Sequence, residues 1–287
     1  MDSSWFERLM QEQEVVGLIA GNGPLPVIFA EKAKAMGLKV VAVAHRGESL
    51  PELEQVAGFV RWIKVGELRK LVETFKGNHV KSVLLLGGID KKRALKELCL
   101  DEWALKLIQR LQARGDDTLL GALAAELESH GIGVLSSHEL LSSWLAPEGI
   151  ITKESPTEQQ LADVRLGIQA LQAIGALDIG QTVVLKEGVI LAVEAIEGTD
   201  RAIRRAGGLG GPGAVVVKGS KPNQDMRFDV PVVGPNTIAT MAQVGARVLA
   251  LEAERTLLLN PTEVVGMAQE RDIVLMGWKA GGRHGKD

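Results

Sequence analysis

Short, largely apolar runs at 15–20, 39–44, 59–64 and 81–86 alternate with stretches of helical spacing at 27–36 and 65–75. This alternation constrains the fold more than any other feature of the chain. A strand covered on both faces reads as a continuous apolar run, and parallel neighbours need a crossover between them, usually a helix. Two of the runs close on glycine turns, Gly21-Asn22-Gly23 after the first and Gly87-Gly88 after the fourth. In an open parallel sheet, ligands sit beyond the carboxyl ends of the strands, where such turns lie.

The expected architecture is therefore α/β: an N-terminal Rossmann-like parallel-sheet domain followed by a C-terminal α/β domain. A helix is expected over 94–113, broken by Arg114-Gly115-Asp116-Asp117, with another over 118–130 and a short strand at 133–135 that ends near His138, a further candidate. A turn-rich stretch at 146–156 marks the junction. The division is an extension at 1–14, a nucleotide-binding domain at 15–147, a linker at 148–156, a catalytic domain at 157–279 and a tail at 280–287. In the second half, helical spacing spans 157–175 and a hairpin joins strands at 181–186 and 189–195. A short basic helix is expected at 199–205, a flexible glycine loop at 207–213 and a strand at 214–217. A helix at 237–245, strands at 248–252, 257–259 and 273–276, and a helix at 261–270 complete the pattern.

Composition removes several function classes. Five Trp, five Phe, no Tyr and a formal charge of -3 argue against nucleic acid, whose binders need stacking aromatics and a basic balance. The single cysteine, Cys99, excludes an internal disulfide and a cysteine-based zinc site, and fits a reducing cytoplasm. No apolar run approaches the roughly 18 residues of a membrane span.

The densest chemistry lies in the segment after the 214–217 strand. Lys218, Lys221, Gln224, Asp225, Arg227 and Asp229 fall within a dozen residues, stiffened at the exit by Pro231, Gly234 and Pro235. Cations and carboxylates at this density can bind phosphate, a divalent metal, or both; the alternative is a surface ion-pair loop. Asp178, Gln181, Glu194, Glu197, Gly198, Thr199 and Asp200 form a second polar group, in which Thr199 or Asp200 suits a helix cap and the carboxylates suit a hard cation such as Mg²⁺. The turn Gly21–Gly23 precedes a helix and so favours an anion. Its spacing departs from the dinucleotide fingerprint, Pro24 and Pro26 stand where a close-packing glycine belongs, and no acidic residue ends the second strand, where Ala44-His45-Arg46 stands. Arg114 can clamp a phosphate, and Asp116 or Asp117 can cap the helix that follows.

The patterns at 17–26, Arg-Gly-Asp-Asp at 114–117, Leu-Asp-Ile-Gly-Gln at 177–181, Val-Glu-Ala-x-Glu-Gly-Thr-Asp at 193–200 and Lys-Pro-x-Gln-x-x-Arg-x-Asp-x-Pro at 221–231 together resemble the LpxI-type UDP-2,3-diacylglucosamine pyrophosphatases. The resemblance runs from about Val15 to Trp278. It implies Mg²⁺-dependent hydrolysis to UMP and 2,3-diacylglucosamine 1-phosphate, a step of lipid A synthesis, with water attacking the α-phosphorus. It also implies a homodimer, substrate held between two domains, and contact with the inner membrane from the cytoplasm. The family's essential aspartate falls on Asp229; Asp225 takes a secondary place, and Glu194 and Glu197 are weaker metal candidates. Substrate contacts are expected from Gly21, Asn22, Gly23, Gly88, Arg114, Asp116, Asp117, Gln181, Gly198, Thr199, Asp200, Lys218, Lys221, Gln224 and Arg227. A hydrolase of another UDP-sugar, or a non-catalytic nucleotide- or lipid-binding module, would use the same residue types.

Overall fold

The computed structural model describes residues 7, 9, 11, 14–90, 93, 98–111, 116–222, 224–227 and 230–279, with backbone alone at 116 and 117. It divides into two compact units, one of residues 1–140 with 225–229 and one of 141–224 with 230–287.

The first unit follows the alternation read in the sequence. Its elements are β1 (Val15–Ala20), α1 (Leu25–Ala35), β2 (Lys39–His45), α2 (Leu53–Val56), β3 (Phe59–Ile63), α3 (Leu68–Gly77), β4 (Ser82–Leu86), α4 (Glu102–Gln109), α5 (Asp116–Ser129), β5 (Gly133–Val134) and α6 (Ser137–Leu140). The five strands form one sheet in the order β3-β2-β1-β4-β5, and every pairing is parallel. β1, β2 and β4 are buried almost throughout, as strands covered on both faces must be. α3 places Leu68, Leu71, Val72 and Phe75 on one stripe, and these pack with Val41, Val43 and Val83 of the sheet. Gly17 permits the close approach: a Cβ there would lie 2.5 Å from Val83 and 3.0 Å from Phe75.

Three expectations change in this unit. The helix expected over 94–113 is, among the described residues, the shorter α4. Asp101 caps it, accepting from the Ala104 N–H at 2.9 Å with one oxygen and from the Arg69 N–H at 2.7 Å with the other. That carboxylate serves the first turns of α4 and α3 together, and residues 98–100 stay outside the helix. The helix expected from residue 118 begins two residues earlier, at Asp116. His138, expected near a strand end, lies within α6.

The second unit holds β6 (Gly149–Ile150), α7 (Glu158–Ala176), β7 (Thr182–Lys186), β8 (Val189–Val193), α8 (Thr199–Gly210), β9 (Val215–Lys218), β10 (Val232–Val233), α9 (Pro235–Val244), β11 (Val248–Glu252), β12 (Leu257–Leu258), α10 (Pro261–Glu270) and β13 (Val274–Trp278). Its main sheet runs β6-β13-β11-β9-β7-β8. The three central strands are parallel, whereas β6, β7 and β8 pair antiparallel. Alternate side chains of β9 serve opposite layers: Val215 and Val217 pack with Val164 and Leu171 of α7, and Val216 packs with Ile203 of α8, Met241 of α9 and Val264 of α10. α7 begins on a capping box, with Thr157 Oγ1 accepting from Gln160 N and Gln160 Oε1 accepting from Thr157 N.

Two differences follow from packing that local propensity does not show. The expected glycine loop at 207–213 is helical to Gly210, because a Cβ at Gly207 would meet Val244 at 2.4 Å and one at Gly210 would meet Leu191 at 2.4 Å. These glycines let the helix lie close to its neighbours. The linker expected at 148–156 begins with edge strand β6, and a Cβ at Gly277 would meet the Pro147 carbonyl at 1.8 Å. β10, which pairs with β12, was not expected from the sequence.

Candidate functional site

In the first unit, the two glycine turns meet at the point where the strand order reverses, between β1 and β4. Gly21 N donates to Leu86 O at 2.8 Å and Asn22 N donates to Gly88 O at 2.7 Å. The Asn22 side chain accepts from Gly88 N at 3.3 Å and donates to Glu48 Oε2 at 3.2 Å. A Cβ at Gly21 would lie 2.3 Å from Gly88 O, so only glycine allows the turns to approach this closely. Gly23 follows at φ +79° with open space around it, just before the first turn of α1. The turn after β2 closes the same region: Ser49 Oγ donates to Ala20 O at 2.7 Å, and His45 Nδ1 lies 2.9 Å from that oxygen. Burial lowers the pKa of His45 and outweighs the Ala20 carbonyl and the Glu48 carboxylate, which raise it.

In the second unit, a polar cluster lies at the carboxyl ends of the central strands. β9 ends on Lys218, only 2% exposed, which pairs in register with Thr182 of β7 and Leu251 of β11. Lys218 Nζ donates to Thr199 Oγ1 at 2.8 Å and to Thr182 Oγ1 at 3.4 Å, and lies 4.0 Å from Glu194 Oε2. Thr199 donates to Glu194 Oε1 at 3.1 Å, whereas Glu194 Oε2 is buried and makes no hydrogen bond. Lys221 Nζ is 2.7 Å from Asp178 Oδ1, and Lys221 N donates to Gln224 Oε1 at 2.9 Å. Gln181 Oε1 is buried without a hydrogen bond, while its main-chain carbonyl accepts from Gly219 N at 3.2 Å. The 177–181 loop fits tightly against the end of β8: a Cβ at Gly180 would lie 2.1 Å from Glu194 O.

The structure thus gathers Gln181, Glu194, Thr199, Lys218, Lys221 and Gln224 at the strand ends on one side of the sheet. Thr199 and Asp200 do not cap α8; the cap position is Gly198, at φ +83°. A glycine takes that positive φ without strain, and the Thr199 hydroxyl is then free to face Lys218. Asp200 accepts from Thr237 Oγ1 at 2.9 Å and so ties α8 to α9. Glu197 stands apart from Lys218. Partial burial raises its pKa, but the Arg205 hydrogen bond and main-chain N–H groups outweigh this and hold the carboxyl below the usual range.

Residues 225–229 group with the first unit. There Arg227 Nη2 lies 2.7 Å from Asp225 Oδ2, and Arg227 Nη1 lies 3.4 Å from Glu128. The Arg227 hydrogen bonds hold the Asp225 carboxyl below the usual aspartate range. Arg227 O accepts from Ser137 N at 2.7 Å. Arg114 and Asp229 lie outside the described residues, as do the side chains of Asp116 and Asp117.

Sequence reading missed a supporting group at the end of β11. Glu252, 5% exposed, accepts from Ser220 N and Ser220 Oγ, both at 2.6 Å, and lies 3.4 Å from Arg255 Nε, which donates to Ser220 Oγ at 2.7 Å. This carboxylate fixes the turn between Lys218 and Lys221. The signal available in sequence was a lone acid closing the apolar run Val248–Glu252. Thr182 was likewise hidden at the start of a strand.

Among the described residues, no three His, Cys, Asp or Glu side chains gather as a closed metal cage. Mg²⁺ at phosphate sites commonly takes only one or two carboxylates and completes its shell with water and phosphate oxygens. Glu194 Oε2, buried and without a donor, fits that requirement. Glu197 and Asp225 are already paired with arginines.

Residues 15–144 match the family model described as LpxI N-terminal domain, and residues 147–276 match the LpxI C-terminal domain. The chain is 32% identical over 275 residues to the UDP-2,3-diacylglucosamine pyrophosphatase LpxI of Caulobacter vibrioides, covering 91% of this chain and 96% of that protein. Solved structures give weaker likenesses. The biotin carboxylase subunit of pyruvate carboxylase is 12% identical, with a TM-score of 0.27, over 63% of this chain and 38% of that one. N5-carboxyaminoimidazole ribonucleotide synthetase from Thermotoga maritima is 14% identical, with a TM-score of 0.25, over 63% of this chain and 41% of that one. The chain therefore spans less than half the length of either structure.

Proposed function

Because the chain belongs to the LpxI family, we propose that it hydrolyses the pyrophosphate of UDP-2,3-diacylglucosamine, releasing UMP and 2,3-diacylglucosamine 1-phosphate for lipid A synthesis. One observation supports this chemistry within the second unit. The motif residues Gln181, Glu194, Thr199, Lys218 and Lys221, spread over 41 positions of sequence, come together at the ends of neighbouring strands.

Hydrolysis at the α-phosphorus places added negative charge on the equatorial oxygens and on the departing phosphate. A preorganised cation in a water-poor setting stabilises that charge more strongly than a solvated one. Lys218 suits this role: it is buried, and the Thr182 and Thr199 hydroxyls accept from its amine. Lys221, held by Asp178, supplies a second cation. Gln181 Oε1 can accept from a substrate hydroxyl or a water. Glu252 positions the turn that carries Lys221 and has no part in the bond change.

Mg²⁺ would be held by the Glu194 carboxylate, and when bound it would neutralise phosphate oxygens. Asp229 is assigned the essential role that the family resemblance gives it, as metal ligand or as the carboxylate that orients the attacking water. Gly21, Asn22, Gly23 and Gly88 offer main-chain and amide groups to the nucleotide; Arg114 and Arg227 are further phosphate contacts. Asp116, Asp117, Gly198, Asp200 and Gln224 complete the proposed substrate-binding set, with Asp225 and Glu197 in weaker metal roles. No helix among the described residues is long and apolar enough to cross a membrane. A substrate with two acyl chains places the active homodimer at a membrane surface, on its cytoplasmic side.

The test is release of UMP from UDP-2,3-diacylglucosamine with Mg²⁺, by the wild type and by Asp229→Ala. The expected result is turnover by the first and a loss of at least about a hundredfold in the second, the scale of a lost water-activating or charge-stabilising group. Unchanged turnover in Asp229→Ala contradicts the assignment. Comparable turnover of UDP-sugars lacking acyl chains would favour a broader nucleotide-sugar hydrolase instead.

A further inference from the structure

Glu48 carries a buried carboxylate with one oxygen bound to Asn22 and the other without a donor. It lies in the turn after β2, is 8% exposed, and stands where three loops of the first unit converge. Its Oε2 accepts from Asn22 Nδ2 at 3.2 Å and from Asp90 N at 3.1 Å, joining the loops after β1 and β4. Its Oε1 is buried and makes no hydrogen bond. Arg93 Nε stands 3.9 Å away, close enough for attraction but beyond hydrogen-bond reach.

A buried acceptor without a donor costs about 1–3 kcal/mol, more when charged, so a native protein that keeps one calls for a reason such as an absent ligand. The place of Glu48 supplies that reason. In dinucleotide-binding parallel sheets an acidic residue beyond the second strand accepts from a ribose hydroxyl, and the phosphates lie at the turn after the first strand. The sequence shows no such residue, because β2 ends on His45 and Arg46 follows it. The structure restores it three residues later. Glu48 N and Ser49 N both donate to His45 O, at 3.1 and 2.9 Å, and Ser49 Oγ accepts from His45 N at 2.9 Å. This tight turn, held to the end of β1 through Ala20 O, folds Glu48 back toward Asn22.

We propose that Glu48 reads the ribose of the bound nucleotide: Oε1 accepts from a ribose hydroxyl while Oε2 keeps Asn22 and the Asp90 amide. The Arg93 side chain, 44% exposed, is the group that moves aside to admit the hydroxyl. The inference rests on the nucleotide reading above and gives it a contact wholly within the first unit. The competing role is a clamp, in which Glu48 only ties the loops together through Oε2.

Calorimetric titration of the full chain with UMP, 2′-deoxy-UMP and 3′-deoxy-UMP separates the two roles. The wild type should bind at least one deoxynucleotide about tenfold more weakly than UMP, the factor expected for one hydrogen bond to a charged group. Glu48→Gln keeps an acceptor for Asn22 but presents an amide in place of the second oxygen. It should bind UMP about tenfold more weakly and discriminate UMP from that same deoxynucleotide by less than about threefold. Wild-type discrimination retained in Glu48→Gln overturns the proposal, as does equal binding of all three nucleotides by the wild type. If Glu48→Gln does not fold by circular dichroism, Glu48→Asp, whose shorter side chain also loses the contact, carries the same comparison. Hydrolysis of UDP-2,3-diacylglucosamine is measured alongside: intact hydrolysis without ribose discrimination sinks this inference alone, whereas absent hydrolysis together with absent UMP binding sinks the reading beneath it.

Discussion

Lys218 shows how one residue joins stability to chemistry. Its amine is buried beside Glu194 and two threonine hydroxyls. Removing one member of a buried pair leaves the other charge uncompensated, at a cost of about 3–5 kcal/mol, whereas replacing both with neutral groups of similar shape is often tolerated. Lys218→Met should therefore destabilise the fold by roughly 3 kcal/mol, and adding Glu194→Gln should restore most of that stability without restoring hydrolysis. Urea unfolding and UMP release, measured on the wild type and both variants, check both halves. Recovered activity in the double variant would move the phosphate-stabilising role elsewhere. At this scale the sequence was most legible where motifs were long. Glu194 and Lys218 could be singled out because each closes an apolar run, and Thr199 because it stands in a polar turn that leads into a helix. Glu48 and Glu252 could not, because each acts through a turn whose backward fold has no local signature.

The elements were legible wherever burial alone decides. Apolar runs such as Val83–Leu86 and Val248–Leu251 can be little else than buried strands. The reading failed where a tertiary contact overrides local preference, and α8 is the sharpest case. Its C-terminal glycines suggest a flexible loop, yet the helix continues through them because Gly207 and Gly210 allow close contact with Val244 and Leu191. Neighbouring glycines in this helix should therefore respond in opposite directions. Gly207→Ala would place a Cβ 2.4 Å from Val244 and should cost about 1–3 kcal/mol, the usual cost of overpacking. Gly208→Ala meets no atom within 4 Å and should stabilise the helix by up to about 1 kcal/mol through helix propensity. Thermal unfolding of the two variants measures the contrast, and equal destabilisation by both would show that the helix end is not held by this packing. The late start of the helix expected over 94–113 has a similar origin, since Asp101 is drawn into capping α4 and bonding the first turn of α3 at once.

For the whole molecule, the alternating pattern predicted a parallel sheet, and the order β3-β2-β1-β4-β5 places Gly21–Gly23 and Gly87-Gly88 side by side at its point of reversal. The second unit's mixed sheet was harder to foresee. Antiparallel β7 and β8 flank a parallel centre, and β6 comes from residues that read as a turn-rich linker. A two-residue edge strand carries too little pattern to be recognised before its partner is known. In both units, chemically versatile residues lie at strand ends, where a sheet can hold side chains rigidly and still leave them open to a ligand. The central claim is that the protein delivers water to the α-phosphorus of UDP-2,3-diacylglucosamine. Hydrolysis in ¹⁸O-labelled water with Mg²⁺, followed by mass spectrometry of both products, tests it most directly. One ¹⁸O atom in UMP and none in 2,3-diacylglucosamine 1-phosphate is the predicted result; label in the lipid phosphate, or no UMP at all, would contradict the account.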